Sequence, residues 1–223
     1  MTYRQIVFMI LDLLRQTSKD SNFEIDHIIK EVNDVRNLLL KQRYSDIRKE
    51  ISDVNFQEIT IYLTDVSSLN KKYIMLKSNK VVPDILNIAS TPTKSLDSIN
   101  FSFISNYRFV YTGYNEWLSS IIYGTVLSDK YFYIKSMNPQ VKHMTSIRIM
   151  SIFENPIDVY YYNDPDLIAN GIDVLDMIFP LEGAYIPELQ DIVLKRLAPS
   201  LGFPKDTINN NNEDNNNIQQ KVN

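Results

Sequence analysis

Few side chains in this sequence are placed to do chemistry. The two histidines, His27 and His143, lie far apart, and neither has a second ligand at the spacing of a metal site. His27 falls in the first turn of a predicted amphipathic helix, where a solvated or core-edge histidine is favoured over a metal ligand. Cysteine is absent, which excludes a disulfide framework, a thiolate nucleophile and a Cys-based zinc site. This composition is typical of a chain made in a reducing cytoplasm.

Three other patterns resemble catalytic or metal-binding motifs only in part. Residues 68–71 match the Ser-x-x-Lys pattern of penicillin-binding enzymes, but the Ser-Asp-Asn and Lys-Thr-Gly motifs that accompany it are missing. Asp158, Asp164 and Asp166 do not have the spacing of an EF-hand loop, so helix capping is the favoured role. The five glycines are too dispersed for a phosphate-binding loop. A carboxylate pair for glycoside hydrolysis leaves no local signature, so an enzyme stays open as an alternative.

Composition also limits the partners. The formal charge of −4 argues against a body-wide nucleic-acid surface. A basic cluster of Lys41, Arg43, Arg48 and Lys49 ends a predicted helix, where it either complements the negative helix terminus or faces DNA. The longest apolar stretch, residues 6–14, is interrupted by Asp12 and is far shorter than the ~20 residues that cross a bilayer. We therefore predict no membrane partner.

Both ends of the chain carry helical patterns. Residues 3–16 place Ile6, Met9, Ile10, Leu13 and Leu14 on one apolar stripe. Residues 21–24 form a capping-box pattern, and a second apolar stripe continues to residue 43, which predicts a helical hairpin. Residues 164–170 predict a short helix, and residues from 187 predict a longer one with the stripe Leu189, Ile192, Val193 and Leu197. We expect this last helix to pack on the hairpin.

Extended patterns occupy the middle of the chain. The patterns predict five or six strands, including the aromatic segment described next. They are an alternation at residues 59–64, an extended run at 73–77, a hairpin of 120–127 and 131–136, and an extended run at 145–153. Residues 78–106 are rich in Ser, Thr, Asn and Pro, which predicts a long loop. The fold class is therefore α+β: a helical domain with an inserted antiparallel β sheet or sandwich. The predicted divisions are 1–57, 58–160, 161–203 and an extended tail at 204–223.

Aromatic residues are concentrated between positions 101 and 133, which hold eleven of the chain's aromatics. Alternation over residues 105–112 predicts a strand with Tyr107 and Tyr111 on one face and no strongly hydrophilic face opposite. Such a strand needs cover on both sides, from a second sheet or from a neighbouring subunit. Four aromatic residues are therefore predicted to be buried or to face another subunit: Tyr107, Tyr111, Trp117 and Tyr133.

The C-terminal tail has nothing to bury by itself. Residues 209–217 contain seven asparagines with Glu213 and Asp214, a composition typical of disorder in isolation. Amide side chains can pair with a polar groove on a partner. Lys205, Asn209 and Asn212 are the candidate contacts here.

Six segments are distinctive as a set: 1–9 (MTYRQIVFM), 39–45 (LLKQRYS), 111–117 (YTGYNEW), 131–136 (YFYIKS), 138–140 (NPQ) and 152–156 (IFENP). With them, most of residues 1–205 resembles a virion protein of crAss-like phages. The resemblance implies a head-to-tail connector, a ring protein bound below the portal of a short-tailed phage. The sequence departs from the family pattern after Pro204, where the asparagine-rich tail replaces a longer, more charged extension.

The resemblance also implies partners and a location. It implies a ring of twelve copies, contacts with the portal and with further tail or ring proteins, and genomic DNA only in passing. The location would be the head-tail junction of the virion, with assembly in the cytoplasm of the bacterial host. No cofactor and no catalysis are expected. The alternative is a tail-associated enzyme or carbohydrate-binding module, which would show one concave pocket with convergent polar groups instead of large contact faces.

Overall fold

The computed structural model describes residues 1–17, 23–46, 48–68, 72–88, 93–97, 100–167 and 171–197. Its helices are α1 (Tyr3–Thr17), α2 (Ile25–Arg43), α3 (Asn106–Tyr111), α4 (Pro156–Asn163) and α5 (Ile186–Leu197). Its strands are β1 (Gln57–Asp65), β2 (Ile74–Ser78), β3 (Lys94–Ser95), β4 (Phe101–Phe103), β5 (Ile122–Val126), β6 (Phe132–Ser136) and β7 (Ser146–Ser151). Single-turn 3₁₀ helices include Glu116–Leu118, Val174–Asp176 and Gly183–Tyr185.

The helices from the two ends of the chain share one hydrophobic core. Buried residues of α1, α2 and α5 form a single cluster, which Leu86, Ile88 and Ile152 of the central region join. The predicted packing of the last helix on the hairpin is therefore confirmed. The α1 stripe differs from the prediction: Met9 and Leu13 lie outside, and the inner face is formed by Tyr3, Ile6, Val7, Ile10, Leu11 and Leu14. Those six residues repeat at three and four along the helix, which centres them on one side.

The start of α2 also differs from the prediction. The helix begins at Ile25, and Glu24 occupies the position before it in extended backbone, without a side-chain capping bond. Ser21, the other half of the predicted capping box, lies outside the described residues. The packing of Ile28, Val32, Val35 and Leu39 in the core defines α2 instead.

The strands form one mixed sheet of seven strands in the order β3-β7-β1-β2-β6-β5-β4. Every pairing is antiparallel except β4 with β5, which is parallel. The alternation of Ile59, Ile61 and Leu63 is confirmed, since all three are buried in a second core cluster under the sheet. Lys130 turns the β5–β6 hairpin with a φ of 60°, in the left-handed region. The α+β class is confirmed, as a single sheet instead of a sandwich.

Four local expectations were wrong. Residues 106–111 form α3 instead of a strand, and the predicted loop at 78–106 contains the short strands β3 and β4. Helix α4 lies where no helix was predicted, with Asn155 as its cap. Residues 165–167 of the predicted 164–170 helix are a turn, and 168–170 lie outside the described residues. The domain divisions stay a prediction.

A fully buried arginine joins the helical core to the sheet. The Arg36 guanidinium, on α2, donates to the carbonyls of Pro180 at 2.9 Å, Phe153 at 2.9 Å and Asn55 at 3.4 Å. No carboxylate of the described residues pairs with it. Burial lowers the pKa of Arg36 to about 10, so the group is still charged at neutral pH. Three segments distant in sequence are thus fixed by one side chain.

Replacing Arg36 with Met should destabilise the fold by about 3 kcal/mol or more, because three buried carbonyls would lose their donor. Urea denaturation measures this. The control is Arg43→Met, which removes an exposed pair with Glu188 at 2.7 Å and should cost about 1 kcal/mol or less. Equal costs for the two variants would contradict the role assigned to Arg36.

Candidate interaction surfaces

An exposed aromatic segment projects from the sheet between β4 and β5. We call residues 105–119 the aromatic knuckle; it comprises α3, a turn at Gly113 and the 3₁₀ helix Glu116–Leu118. Trp117 is 94% exposed, Tyr107 87% and Tyr111 82%. Three large aromatic side chains exposed to this degree in one short segment mark a surface that a partner can cover.

The knuckle is held from below by one apolar anchor and one buried cation. Phe109 is the buried residue of α3. Lys135 of β6 is 3% exposed, and its ammonium donates to the carbonyls of Phe109 and Val110, both at 3.3 Å. These are carbonyls at the C-terminal end of α3, where the peptide dipoles favour a positive charge. The cation thereby fixes the end of the helix on the sheet.

Aromatic rings enclose the same ammonium. The Lys135 nitrogen lies 4.2 Å from the ring centre of Tyr73, 4.7 Å from that of Tyr114 and 5.7 Å from that of Phe109. Tyr73 and Tyr114 also pack edge to face, with ring centres 5.6 Å apart. Cation–π contacts replace part of the water that the buried ammonium loses. Tyr114 therefore supports the knuckle from inside, although its other side faces solvent.

The turn of the knuckle depends on Gly113 and Asn115. Gly113 has a φ of 78°, in the left-handed region, and a Cβ there would lie 3.0 Å from the Cε atom of Lys135. The Asn115 side chain accepts from the Trp117 backbone N–H at 3.0 Å and so starts the 3₁₀ helix. These two residues direct Trp117 outward.

Tyr133, the fourth predicted aromatic, lies apart from the other three. It is half-buried on β6, and its hydroxyl donates to Asp129 at 2.7 Å. Burial raises the pKa of the Asp129 carboxyl, but hydrogen bonds from Tyr133, the Tyr131 backbone and Lys77 outweigh it and hold that pKa below its ordinary value. The structure thus brings together Tyr107, Tyr111 and Trp117, and gives Tyr133 a role within the β5–β6 hairpin. Lys205, Asn209 and Asn212 lie outside the described residues.

A groove of about 750 Å³ runs beside α2 and α4. We call it the α2–α4 groove. Its apolar lining consists of Ile25, Ile29, Ile157, Tyr161, Val174 and Leu175. Its charged lining consists of Asp26, Asp34, Glu154 and Asp173 with Lys30. The groove therefore combines a largely apolar lining with an exposed acidic rim.

The amides on the groove floor are already hydrogen-bonded. Asn33 accepts from the Tyr3 hydroxyl at 2.8 Å and donates to Asn155 at 3.3 Å, and Asn155 donates in turn to Asp158 at 2.9 Å. Burial raises the pKa of Tyr3 far above its ordinary value, which keeps this hydroxyl a donor. Asp158 accepts this bond in the first turn of α4, but the cap of that helix is Asn155, so the capping role favoured for Asp158 was wrong. The described carboxylates of the rim are free to meet a partner, except that Asp173 pairs with Arg4 at 2.8 Å.

A second exposed apolar surface lies on the outer side of α1. Phe8, Met9 and Leu13 are each about two-fifths exposed there. Asp12 and Arg15 are exposed on the same helix. Unlike the α2–α4 groove, this is the convex surface of a helix.

The basic cluster at the end of α2 is partly used within the fold. Arg43 pairs with Glu188 at 2.7 Å and stacks over the Tyr185 ring at 5.4 Å. Lys41, Arg48 and Lys49 are exposed and make no ion pair among the described residues. In the part of the chain that the structure describes, no cluster of acids and histidines is arranged to hold a metal ion, and no helix is long and apolar enough to cross a membrane.

Sequence reasoning missed two components of these surfaces, and only one of them carries a local signal. The α2–α4 groove is formed by residues about 130 positions apart in the chain, and only the fold brings them together. Lys135 does carry a local signal: it is the one charged residue in an otherwise apolar and aromatic strand, residues 131–136. A buried lysine in such a strand needs carbonyls or rings above it, and α3 supplies both.

The extent of exposed aromatic surface is typical of a subunit that binds other protein chains. Comparison with known proteins identifies the kind of assembly. The family model for phage tail ring protein 2 matches residues 5–216. Ring protein 2 of Bacteroides phage crAss001 is 34% identical over 220 residues, which cover 96% of this chain and 98% of that relative. The chain belongs to the phage tail ring protein 2 family, and the resemblance to a crAss-like phage ring protein is confirmed.

The support of the knuckle can be tested by a matched pair of glycine substitutions. Gly113→Ala adds a Cβ at positive φ and 3.0 Å from Lys135, whereas Gly171→Ala adds one at a φ of 74° with no atom of the described residues within 4 Å. Backbone strain of about 1 kcal/mol applies to both. We expect Gly113→Ala to cost more in unfolding free energy and to speed hydrogen exchange at residues 106–118. Identical exchange in the two variants would show that the Lys135 contact does not hold the knuckle.

Proposed function

We propose that this protein is a ring subunit of the head-to-tail connector, joining the portal to the tail around the DNA channel. Its family membership supports a structural ring protein of the virion tail. The observation that carries the finer proposal is the aromatic knuckle, an outward surface that is costly to leave in water. The proposed role is structural, without catalysis or a cofactor.

The proposed assembly is a closed cyclic ring of twelve copies, by analogy with connectors of short-tailed phages. Ring closure requires two different patches on each subunit, because the same patch cannot serve both neighbours in a head-to-tail arrangement. The knuckle is one such patch. The α1 outer face and the α2–α4 groove remain for the next copy, the portal or further tail and ring proteins.

Genomic DNA would contact this protein only in passing. The net charge is −4, but Lys41, Arg48 and Lys49 are exposed and could line a channel wall. The proposed location is the head-tail junction of the virion, after assembly in the cytoplasm of the host.

Assembly can be measured on the full chain, alone and with its cognate portal. Light scattering should give a particle with twelve times the mass of the chain, and electron microscopy should show a ring coaxial with the portal. A chain that stays monomeric and does not bind the portal would contradict the proposed function.

Trp117→Ala should weaken each subunit contact by about 2–4 kcal/mol, the range of a buried aromatic hot spot. The unfolding free energy should stay within about 0.5 kcal/mol, because the side chain is 94% exposed in the subunit. The control is Tyr62→Ala, an exposed aromatic on β1 outside the knuckle. Assembly that is unaffected by Trp117→Ala would remove Trp117 from the interface.

The tail provides a separate test of portal docking. Its composition offers amide donors and acceptors and little to bury, so deletion of residues 206–223 should leave folding intact and weaken co-purification with the portal. The single substitutions Lys205→Ala, Asn209→Ala and Asn212→Ala then locate the contact. Unchanged co-purification would place docking before residue 206.

A further inference from the structure

The chain carries a convex aromatic surface and a concave apolar one in different parts of its fold. The knuckle lies on the β4–β6 part of the sheet, above Lys135. The α2–α4 groove lies beside the helical core. A closed ring needs two such different patches on every subunit.

We propose that the aromatic knuckle of one subunit docks in the α2–α4 groove of the next copy of the same chain. The inference rests on the proposed ring and specifies its repeating contact. It makes Trp117, Tyr107 and Tyr111 the inserted side chains.

The size and polarity of the groove suit this occupant. Its volume of about 750 Å³ is within the ~300–1,000 Å³ of sites that enclose drug-sized molecules, so it has room for more than one aromatic ring. Isoleucine, valine, leucine and tyrosine side chains belong to its lining. Insertion would remove apolar surface of both partners from water.

The charges of the two surfaces are complementary. Arg108 lies in the knuckle beside Tyr107, is exposed, and has no ion pair among the described residues. Asp26 and Asp34 on the groove rim are exposed and are likewise unpaired within the described part of the chain. The knuckle's acid, Glu116, has Lys72 at 3.9 Å. Lys30 belongs to the same lining, but four acids outnumber it, so a positive knuckle meets a net negative rim, which favours encounter in one orientation.

Two other arrangements fit less well. Two knuckles facing each other would bring two Arg108 side chains together and would form a dimer instead of a ring. The α1 outer face is convex, and its charged residues Asp12 and Arg15 are of opposite sign. A knuckle docked on this face would therefore not place Arg108 against an excess of acidic side chains.

Charge reversal tests the pairing. Arg108→Glu should reduce ring formation with the portal at least about tenfold, since it places an acid against the acidic rim. Asp26→Lys with Asp34→Lys should have a similar effect, and the triple variant that carries all three substitutions should recover most of the loss. Asp12→Lys is the matched control on α1. Failure of the triple variant to recover, with folding confirmed by circular dichroism, would overturn the pairing.

Site-directed cross-linking gives the geometry directly, because the chain has no cysteine of its own. Ser119→Cys places a thiol in the knuckle and Lys30→Cys places one on the groove rim; both positions are exposed. Rings of the double variant, treated with a short bismaleimide, should give a ladder of covalent oligomers on denaturing gels. Each single variant should stay monomeric on the same gel.

The cross-linking results distinguish the proposed docking contact from ring formation itself. A ladder from Ser119→Cys with Met9→Cys, but not with Lys30→Cys, would overturn the groove and assign the α1 face. Dimers from Ser119→Cys alone would assign a knuckle-to-knuckle contact. Rings without any ladder would overturn the docking while leaving the ring function intact. Absence of rings for the unmodified chain with the portal would overturn both.

Discussion

The fold depends on how the Arg36 guanidinium is satisfied without water. It has no carboxylate partner among the described residues, so its charge is distributed over backbone carbonyls from three segments, at Asn55, Phe153 and Pro180. Each of these segments connects the helical core with the β sheet or with the final helix. A hydrophobic side chain could fill the same space, but it would leave the three carbonyls unpaired. This one residue of α2 therefore fixes the register between the helices, which come from both ends of the chain, and the sheet between them.

A second buried cation has a related effect at the surface. Lys135 uses its ammonium to hold the carbonyl end of α3, and the rings of Tyr73, Tyr114 and Phe109 surround it. The result is a support beneath a segment whose outward residues Tyr107, Tyr111 and Trp117 are more than four-fifths exposed. Rigid presentation lowers the ordering cost of binding, since the aromatic side chains are already directed outward before a partner arrives. In a family of phage tail ring proteins, such pre-organisation suits a contact that is repeated around a ring.

Elements with a regular hydrophobic pattern could be predicted from the sequence, whereas surfaces formed by residues distant in the chain could not. The prediction was correct within a few residues for three helices (α1, α2 and α5) and five strands (β1, β2, β5, β6 and β7). Each of these elements has a regular apolar stripe or alternation, and those apolar residues form the two hydrophobic clusters. The run from Tyr107 to Tyr111 alternates over too few residues to separate a strand from a helix, and the Lys135 contact with the end of α3 comes from a strand distant in the sequence. The contact role of Tyr107, Tyr111 and Trp117 stays a prediction, and the sequence could not decide between burial and exposure for them, because burial of an aromatic depends on what lies above it. The α2–α4 groove had no sequence signal at all.

Trp117 reports directly on whether the knuckle is covered when subunits assemble. It is the only tryptophan of the chain and is 94% exposed in the subunit. A tryptophan analogue that absorbs at longer wavelength can be incorporated into this chain alone and excited selectively beside the portal. Acrylamide quenching of that analogue should be strong for the free subunit and should fall sharply in the ring, with a blue shift of the emission. Equal quenching in the two states would show that Trp117 stays in water and would contradict the account.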